Sequence, residues 1–186
     1  LKTAGIYGPN NSGKTCLIKC IRAIKEVLLN RKSDLMPNIF TDNNICELGV
    51  VFMASGKKFS YKFKYDAVKE EYIYESFSEV SKDKYGNEKE ENWLEKDTVK
   101  EMFISADQDL QAMIPIISNN NLLYYLIDTN KFKKLNEMKT ILISFAEKID
   151  VINMNNIPME HTIELMKNKN KLQQKIVEFI KNADLY

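Results

Sequence analysis

Histidine is almost missing from this chain: His161 stands alone among 186 residues. A Ser-His-Asp triad or a histidine-rich metal site therefore has little to draw on, and a solvated or capping role for His161 outweighs a catalytic one. Cysteine is scarce too. Cys16, Cys20 and Cys46 fit neither a disulfide framework nor a zinc-ligand spacing. Cys16 and Cys20, on one predicted helix, read as packing residues, and a reducing, cytoplasmic setting is the simplest expectation. Long apolar runs are lacking, so no membrane span is expected, and the first residues have neither the charged nor the apolar region of a secretion signal. Charge of one sign is lacking as well. Lys and Arg number 27 against 26 Asp and Glu, a net charge of +1, so bulk composition gives no support for tight nucleic-acid binding.

What remains is 44% apolar and 28% charged, a composition suited to one soluble globular domain with a real core. Within it one stretch carries most of the functional information. Gly8-Pro9-Asn10-Asn11-Ser12-Gly13-Lys14-Thr15 is a complete Walker A loop. Upstream, Thr3-Ala4-Gly5-Ile6-Tyr7 can serve as a buried parallel strand. Downstream, Leu17, Ile21, Ile24 and Leu28 recur at helical spacing. Gly8 permits a tight exit from the strand, and Gly13 lets backbone amides approach phosphates closely. Amides from about Asn10 to Thr15, with Cys16 next in line, form an anion nest at the positive end of the following helix. Lys14 is the candidate catalytic residue, its ammonium placed for the β- and γ-phosphates, and the Thr15 hydroxyl is a ligand for Mg²⁺. Asn11 stands where many such loops have Gly, a mild departure because Asn tolerates positive φ. The chain is expected to bind a nucleoside triphosphate.

The remaining pattern divides into three regions of one domain spanning 1–186. Residues 1–32 hold the P-loop strand and helix, the helix running over 15–31. Residues 45–97 form an antiparallel β region: a strand at Cys46–Met53, a turn at Ala54–Lys57, and a second strand in which Phe59, Tyr61, Phe63 and Tyr65 alternate with lysines and serine. A third strand runs from Glu71 to Val80, with Tyr72 and Tyr74 expected to alternate onto one face and Phe77 a further candidate for it. Residues 81–97 are strongly charged and read as an exposed hairpin or loop around Tyr85-Gly86-Asn87. From about Thr98 to 186 the pattern turns helical, with candidates near 107–114, 119–136, 138–148 and 159–182. No internal repeat is evident. The lysines of 57–64 and 131–134 fit either a phosphate-backbone contact or the solvated face of ordinary elements, and the second reading is favoured.

A complete P-loop ATPase also needs a carboxylate at the end of an apolar strand. Leu122–Asp128 has that shape, but Leu122, Leu123, Leu126 and Ile127 are spaced for a helix face, and Thr129 stands where a catalytic Glu is often found. An amphipathic helix is the better reading. Ala146–Asp150 is weaker, because charges break the run. No Leu-Ser-Gly-Gly-type signature is present. Gln108 and Gln111 are candidates for a metal-sensing glutamine, with nothing to separate them from surface residues.

Taken in order, Ile6 to Thr15, Leu17 to Ile24, Phe59 to Tyr65 and Tyr72-Ile73-Tyr74-Glu75 resemble the N-terminal part of AAA-family ATP-binding proteins of the abortive-infection, phage-defence type. These are similar to RecF-like and structural-maintenance-of-chromosomes-like heads, related in architecture to ABC transporter ATPases. The resemblance implies an α/β P-loop NTPase fold with an antiparallel β subregion and a C-terminal helical region. It implies ATP with Mg²⁺, preference for adenine, a homodimer whose heads sandwich the nucleotide, and an effector nuclease or toxin subunit as partner. It also implies that Walker B, signature motif and switch histidine come from a C-terminal half, so that this chain looks like one lobe, inactive alone. Two other readings stay open: a nucleotide-gated assembly module without turnover, and a compact phosphotransferase using Asp128.

Overall fold

The computed structural model describes residues 6–9, 13–37, 44–111, 122–127 and 129–151, together with the isolated helical positions Lys167, Gln174 and Glu178. Two compact units divide the chain, Leu1–Ile149 and Asp150–Tyr186. In the second, the three isolated positions are helical and exposed. His161 and most of the 159–182 helix candidate lie outside the described residues.

The first unit is framed by an antiparallel meander: β1 (Ile45–Ala54), β2 (Lys57–Asp66), β3 (Glu71–Lys82), β4 (Glu88–Asp97) and β5 (Met102–Ser105) pair in chain order. Helix α1 (Lys14–Leu28) precedes the sheet. After it come two single helical turns, α2 (Gln108–Gln111) and α3 (Leu123–Leu126), a 3₁₀ turn (Thr129–Lys131) and helix α4 (Lys133–Glu147).

Turn chemistry fixes the meander. Ser55 and Gly56 both have positive φ, the requirement of a two-residue hairpin turn whose twist matches its strands. The β2–β3 and β4–β5 loops share one device, the sequence Asp-x-Val-Lys-Glu at 66–70 and 97–101. In each, an Asp oxygen accepts two successive backbone amides, Val68 and Lys69 or Val99 and Lys100. The closing Glu70 and Glu101 take left-handed φ of 56° and 52°. Asp side chains that mimic a backbone turn explain why these loops are so short. At the β3–β4 hairpin, Asp83 accepts the amides of Tyr85 and Asn87, and the Asn87 amide holds its carboxyl below the ordinary range.

Alternation on β2 is as expected in part: Phe59, Tyr61 and Phe63 are buried and Lys62 is exposed, but Ser60, expected on the wet face, is buried as well because that part of β2 lies between β1 and β3. β3 departs from strict alternation. Pairing shifts from Lys64↔Tyr74 to Tyr65↔Tyr72, leaving Ile73 as an extra residue. Tyr72 therefore joins Phe63 and Tyr65 on the core face, whereas Tyr74 lies beyond the bulge with the Lys64 ammonium 5.8 Å from its ring centroid. A second shift, from Phe77↔Leu94 to Ser78↔Asn92, frees Trp93 to pack edge-on against Phe59 and Phe77.

Residues 81–97 do make a hairpin, but its second half is not an exposed loop. β4 is an interior strand, and Trp93, Leu94, Lys96 and Asp97 are buried. Its charged side chains masked a period-2 element. Nor does the chain turn helical at Thr98: β5 extends the sheet, and the span expected as one helix over 119–136 is broken, with Ile127 in extended conformation. Helix α4 lies across the core face from β4 to β1. Its Lys134 ammonium sits 3.8 Å from the Trp93 ring centroid, and Phe145 stacks on Phe52 at 4.1 Å. The Asp107 carboxylate accepts the Leu135 amide at 2.9 Å, serving as a cap for α4 from outside that helix.

Candidate functional site

The P-loop lies at the start of α1. Ile6–Pro9 has no regular structure, and Ile6 and Tyr7 are 60% and 93% exposed. The expected buried parallel strand is thus not seen at Ile6 and Tyr7, and residues 1–5 lie outside the described set. Every strand pairing of the described sheet is antiparallel, and Ile6 and Tyr7 take no part in it. Asn10, Asn11 and Ser12 also lie outside the described residues.

Gly13 closes the loop and caps the helix. Its φ of 85° and ψ of 5° are left-handed, a conformation that glycine alone adopts without strain. A Cβ at this position would meet nothing within 4 Å, so the backbone angle, not crowding, demands glycine. The Gly13 carbonyl accepts the Leu17 amide at 3.1 Å, the first bond of the helix. No acidic side chain lies in the first turn and no side chain caps it. Within the helix's own first turn, the positive end of the dipole therefore meets no carboxylate. The Lys14 ammonium folds back over the loop, donating to the carbonyls of Gly8 at 2.7 Å and Pro9 at 2.6 Å. Gly8, Pro9, Gly13 and Lys14 are thus brought together as one ring. Thr15 and Cys16 follow in the first turn, both exposed. Cys16, exposed on the first turn of α1, is not the packing residue expected of it. Cys20 and Cys46 are half-buried, and all three thiols are free.

Burial divides α1 in two. Ala23, Ile24, Val27 and Leu28 are buried, whereas Leu17, Ile18 and Ile21 are 44%, 52% and 40% exposed. The stripe read from Leu17 to Leu28 is continuous in sequence but used only in its second half. That half is also tied by polar contacts. The Tyr125 hydroxyl donates to the Leu28 carbonyl, and the Lys25 ammonium donates to the Ile149 carbonyl.

Two described strands end in a carboxylate, β2 at Asp66 and β4 at Asp97, and each of these accepts the backbone amides of its own turn. Leu123–Leu126 is a helical turn, which removes the strand a Walker B reading needs there, and Asp128 itself is outside the described set. Ala146 and Glu147 end α4, and Asp150 is exposed in irregular chain. Gln108 and Gln111 are exposed on α2. No cluster of three or more His, Cys, Asp or Glu able to hold a metal occurs among the described residues, and no described helix is long and apolar enough to cross a membrane.

The lysine-rich β2 is charge-balanced. Lys64 pairs with Glu47 at 3.0 Å, Lys57 with Glu79 at 3.0 Å, and Lys58 with Glu88. Lys134 lies against Trp93 and Glu137. Lys57, Lys58, Lys64 and Lys134 are thus each paired with a carboxylate.

Sequence reading missed Glu75, a wholly buried carboxylate at mid-sheet. The only signal was partial: Glu75 lies two residues before Phe77, but the bulge at Ile73 breaks the alternation just ahead of it. A model of the family described as an AAA domain matches residues 2–184. No curated protein and no solved structure matches the chain.

Proposed function

The chain belongs to the AAA-domain family, and on that premise we propose that it is an ATP-binding lobe of an ATPase, with Mg-ATP held at Gly8–Thr15. The observation that carries this reading is the Gly13–Lys14 geometry: a left-handed glycine opening a helix, with a lysine curled over the loop that precedes it. Phosphate oxygens are stronger acceptors than peptide carbonyls, so they draw the Lys14 ammonium to themselves, while the α1 amides meet the same charge. Thr15 fits the hydroxyl role in metal binding: it is exposed and directly follows Lys14. It would hold Mg²⁺ together with the phosphate oxygens. The ion would supply charge neutralisation.

Hydrolysis needs groups that the described residues do not bring to the loop. We therefore assign it to a second nucleotide-sandwiching head, with the exposed Leu17, Ile18 and Ile21 as the apolar face that further parts of the assembly cover. The phage-defence setting and an effector nuclease or toxin partner rest on the sequence resemblance. Titration calorimetry with Mg-ATP tests the core of this proposal. Wild type should bind, and Lys14→Ala should lose at least about 2 kcal/mol of binding free energy, the scale of a charge-assisted contact to phosphate. Equal affinity in the two proteins would sink it.

A further inference from the structure

Glu75 is an expensive residue to keep. It is fully buried among aromatics on β3, directly opposite Lys96 on β4, itself 5% exposed. The Lys96 ammonium has no hydrogen-bond partner among the described residues. Burial pushes the Glu75 carboxyl up and the Lys96 ammonium down, each partly offset by the other's charge. Apolar residues at such a pair of positions commonly give an equal or more stable fold. Stability alone therefore does not account for Glu75, and its directional contacts become the informative feature.

Those contacts lead to the P-loop helix. Glu75 accepts the Tyr61 hydroxyl at 3.0 Å through one oxygen and the Leu123 backbone amide at 2.8 Å through the other. The Leu123 bond fixes the segment Leu122–Tyr124, whose three residues are buried to 2% or less exposure. Next in sequence, the Tyr125 ring lies tilted against that of Tyr124, centroids 4.4 Å apart, and its hydroxyl donates to the Leu28 carbonyl. That carbonyl belongs to the last turn of α1, where carbonyls have no partner within the helix. The Lys139 ammonium, 5.5 Å from the Tyr125 ring centroid, borders the same joint.

The end of α1 matters because its beginning is uncovered. With Leu17, Ile18 and Ile21 exposed, α1 projects from its buried half like a beam fixed at one end. Its 15 residues span about 22 Å, so a small rotation at Leu28 becomes a displacement at Gly13 and Lys14. We infer that Glu75 is a positioning residue for the nucleotide site, holding the direction of α1 through the Leu123 amide, Tyr125 and the Leu28 carbonyl. This deepens the nucleotide-binding proposal and rests on it for its functional consequence.

The test uses the full chain with Mg-ATP and three variants. Glu75→Leu and Tyr125→Phe each break one link and should each weaken binding about fivefold, a typical size for coupling through packed elements. Glu75→Gln keeps an oxygen for the Leu123 amide and should bind like wild type. The double variant Glu75→Leu/Tyr125→Phe should also lose about fivefold, because both changes cut one chain of contacts. Unchanged affinity in both single variants, or losses that multiply in the double, would overturn the inference. Melting temperatures separate this from simple destabilisation: Glu75→Leu leaves the Lys96 ammonium buried without its counter-charge and should melt lower, whereas Tyr125→Phe leaves that pair intact and should bind more weakly while melting close to wild type. Should wild type bind no nucleotide, the proposed function fails, while hydrogen exchange at the Leu29 and Asn30 amides still decides the relay. Faster exchange there in Glu75→Leu and Tyr125→Phe supports it, and unchanged exchange refutes it.

Discussion

At the scale of single residues, conformation and burial carry the argument, and sequence reveals the first better than the second. Gly8, Gly13, Lys14 and Thr15 were legible because a phosphate loop needs those residue types at fixed spacing. Glu75 was not, since a bulge at Ile73 decides which face it takes. Its ionisation has a defined consequence for stability. The folded protein raises the Glu75 carboxyl above its ordinary value of 4.5, chiefly by burial. Below the ordinary value both folded and unfolded chains hold the proton, and no penalty arises. As pH climbs through the raised value, the folded chain must ionise a buried group that the unfolded chain ionises freely, so stability falls. Urea unfolding between about pH 4 and about pH 8 should show wild type losing stability relative to Glu75→Gln as pH rises. A relative gain in wild type would contradict the assignment of burial as the dominant cause.

Whole elements were legible where one physical signal dominated. β1, β2 and most of β3 follow from alternation, and α1 from its apolar period. β4 was obscured because its first half, Glu88–Asn92, is exposed and charged while Trp93 onward is buried. The paired Asp-x-Val-Lys-Glu turns at 66–70 and 97–101 could have located β5, since the same turn that ends β2 also ends β4. Helix α1 is the element whose pattern and packing disagree. Its stripe of apolar residues runs the full length, yet only the second half meets the sheet and α4. Two substitutions should therefore behave oppositely in the isolated chain. Leu28→Ala, at a wholly buried position, should cost about 2–5 kcal/mol, whereas Ile18→Ser should stay within about 0.5 kcal/mol of wild type. Chemical denaturation of both variants checks this, and a large loss in Ile18→Ser would mean that the first turns of α1 are covered after all.

At the largest scale, within the unit Leu1–Ile149, the antiparallel sheet and α4 form a platform, and α1 carries the phosphate loop at its less buried end. The family match agrees with the nucleotide-binding character expected from Gly8–Thr15. Of the parallel strand expected at Thr3–Tyr7, the described residues Ile6 and Tyr7 show no strand, because strand formation depends on neighbours and not on a run's own apolar character. A scaffold of this kind makes the loop's amides the direct reporters of function. Two-dimensional ¹H–¹⁵N spectra recorded during a Mg-ATP titration follow them individually. The signals of Gly13, Lys14 and Thr15 should move together and saturate in wild type, and should stay still in Lys14→Ala. Static signals at these three residues in wild type, or saturable shifts confined to other parts of the chain, would contradict nucleotide binding at this loop.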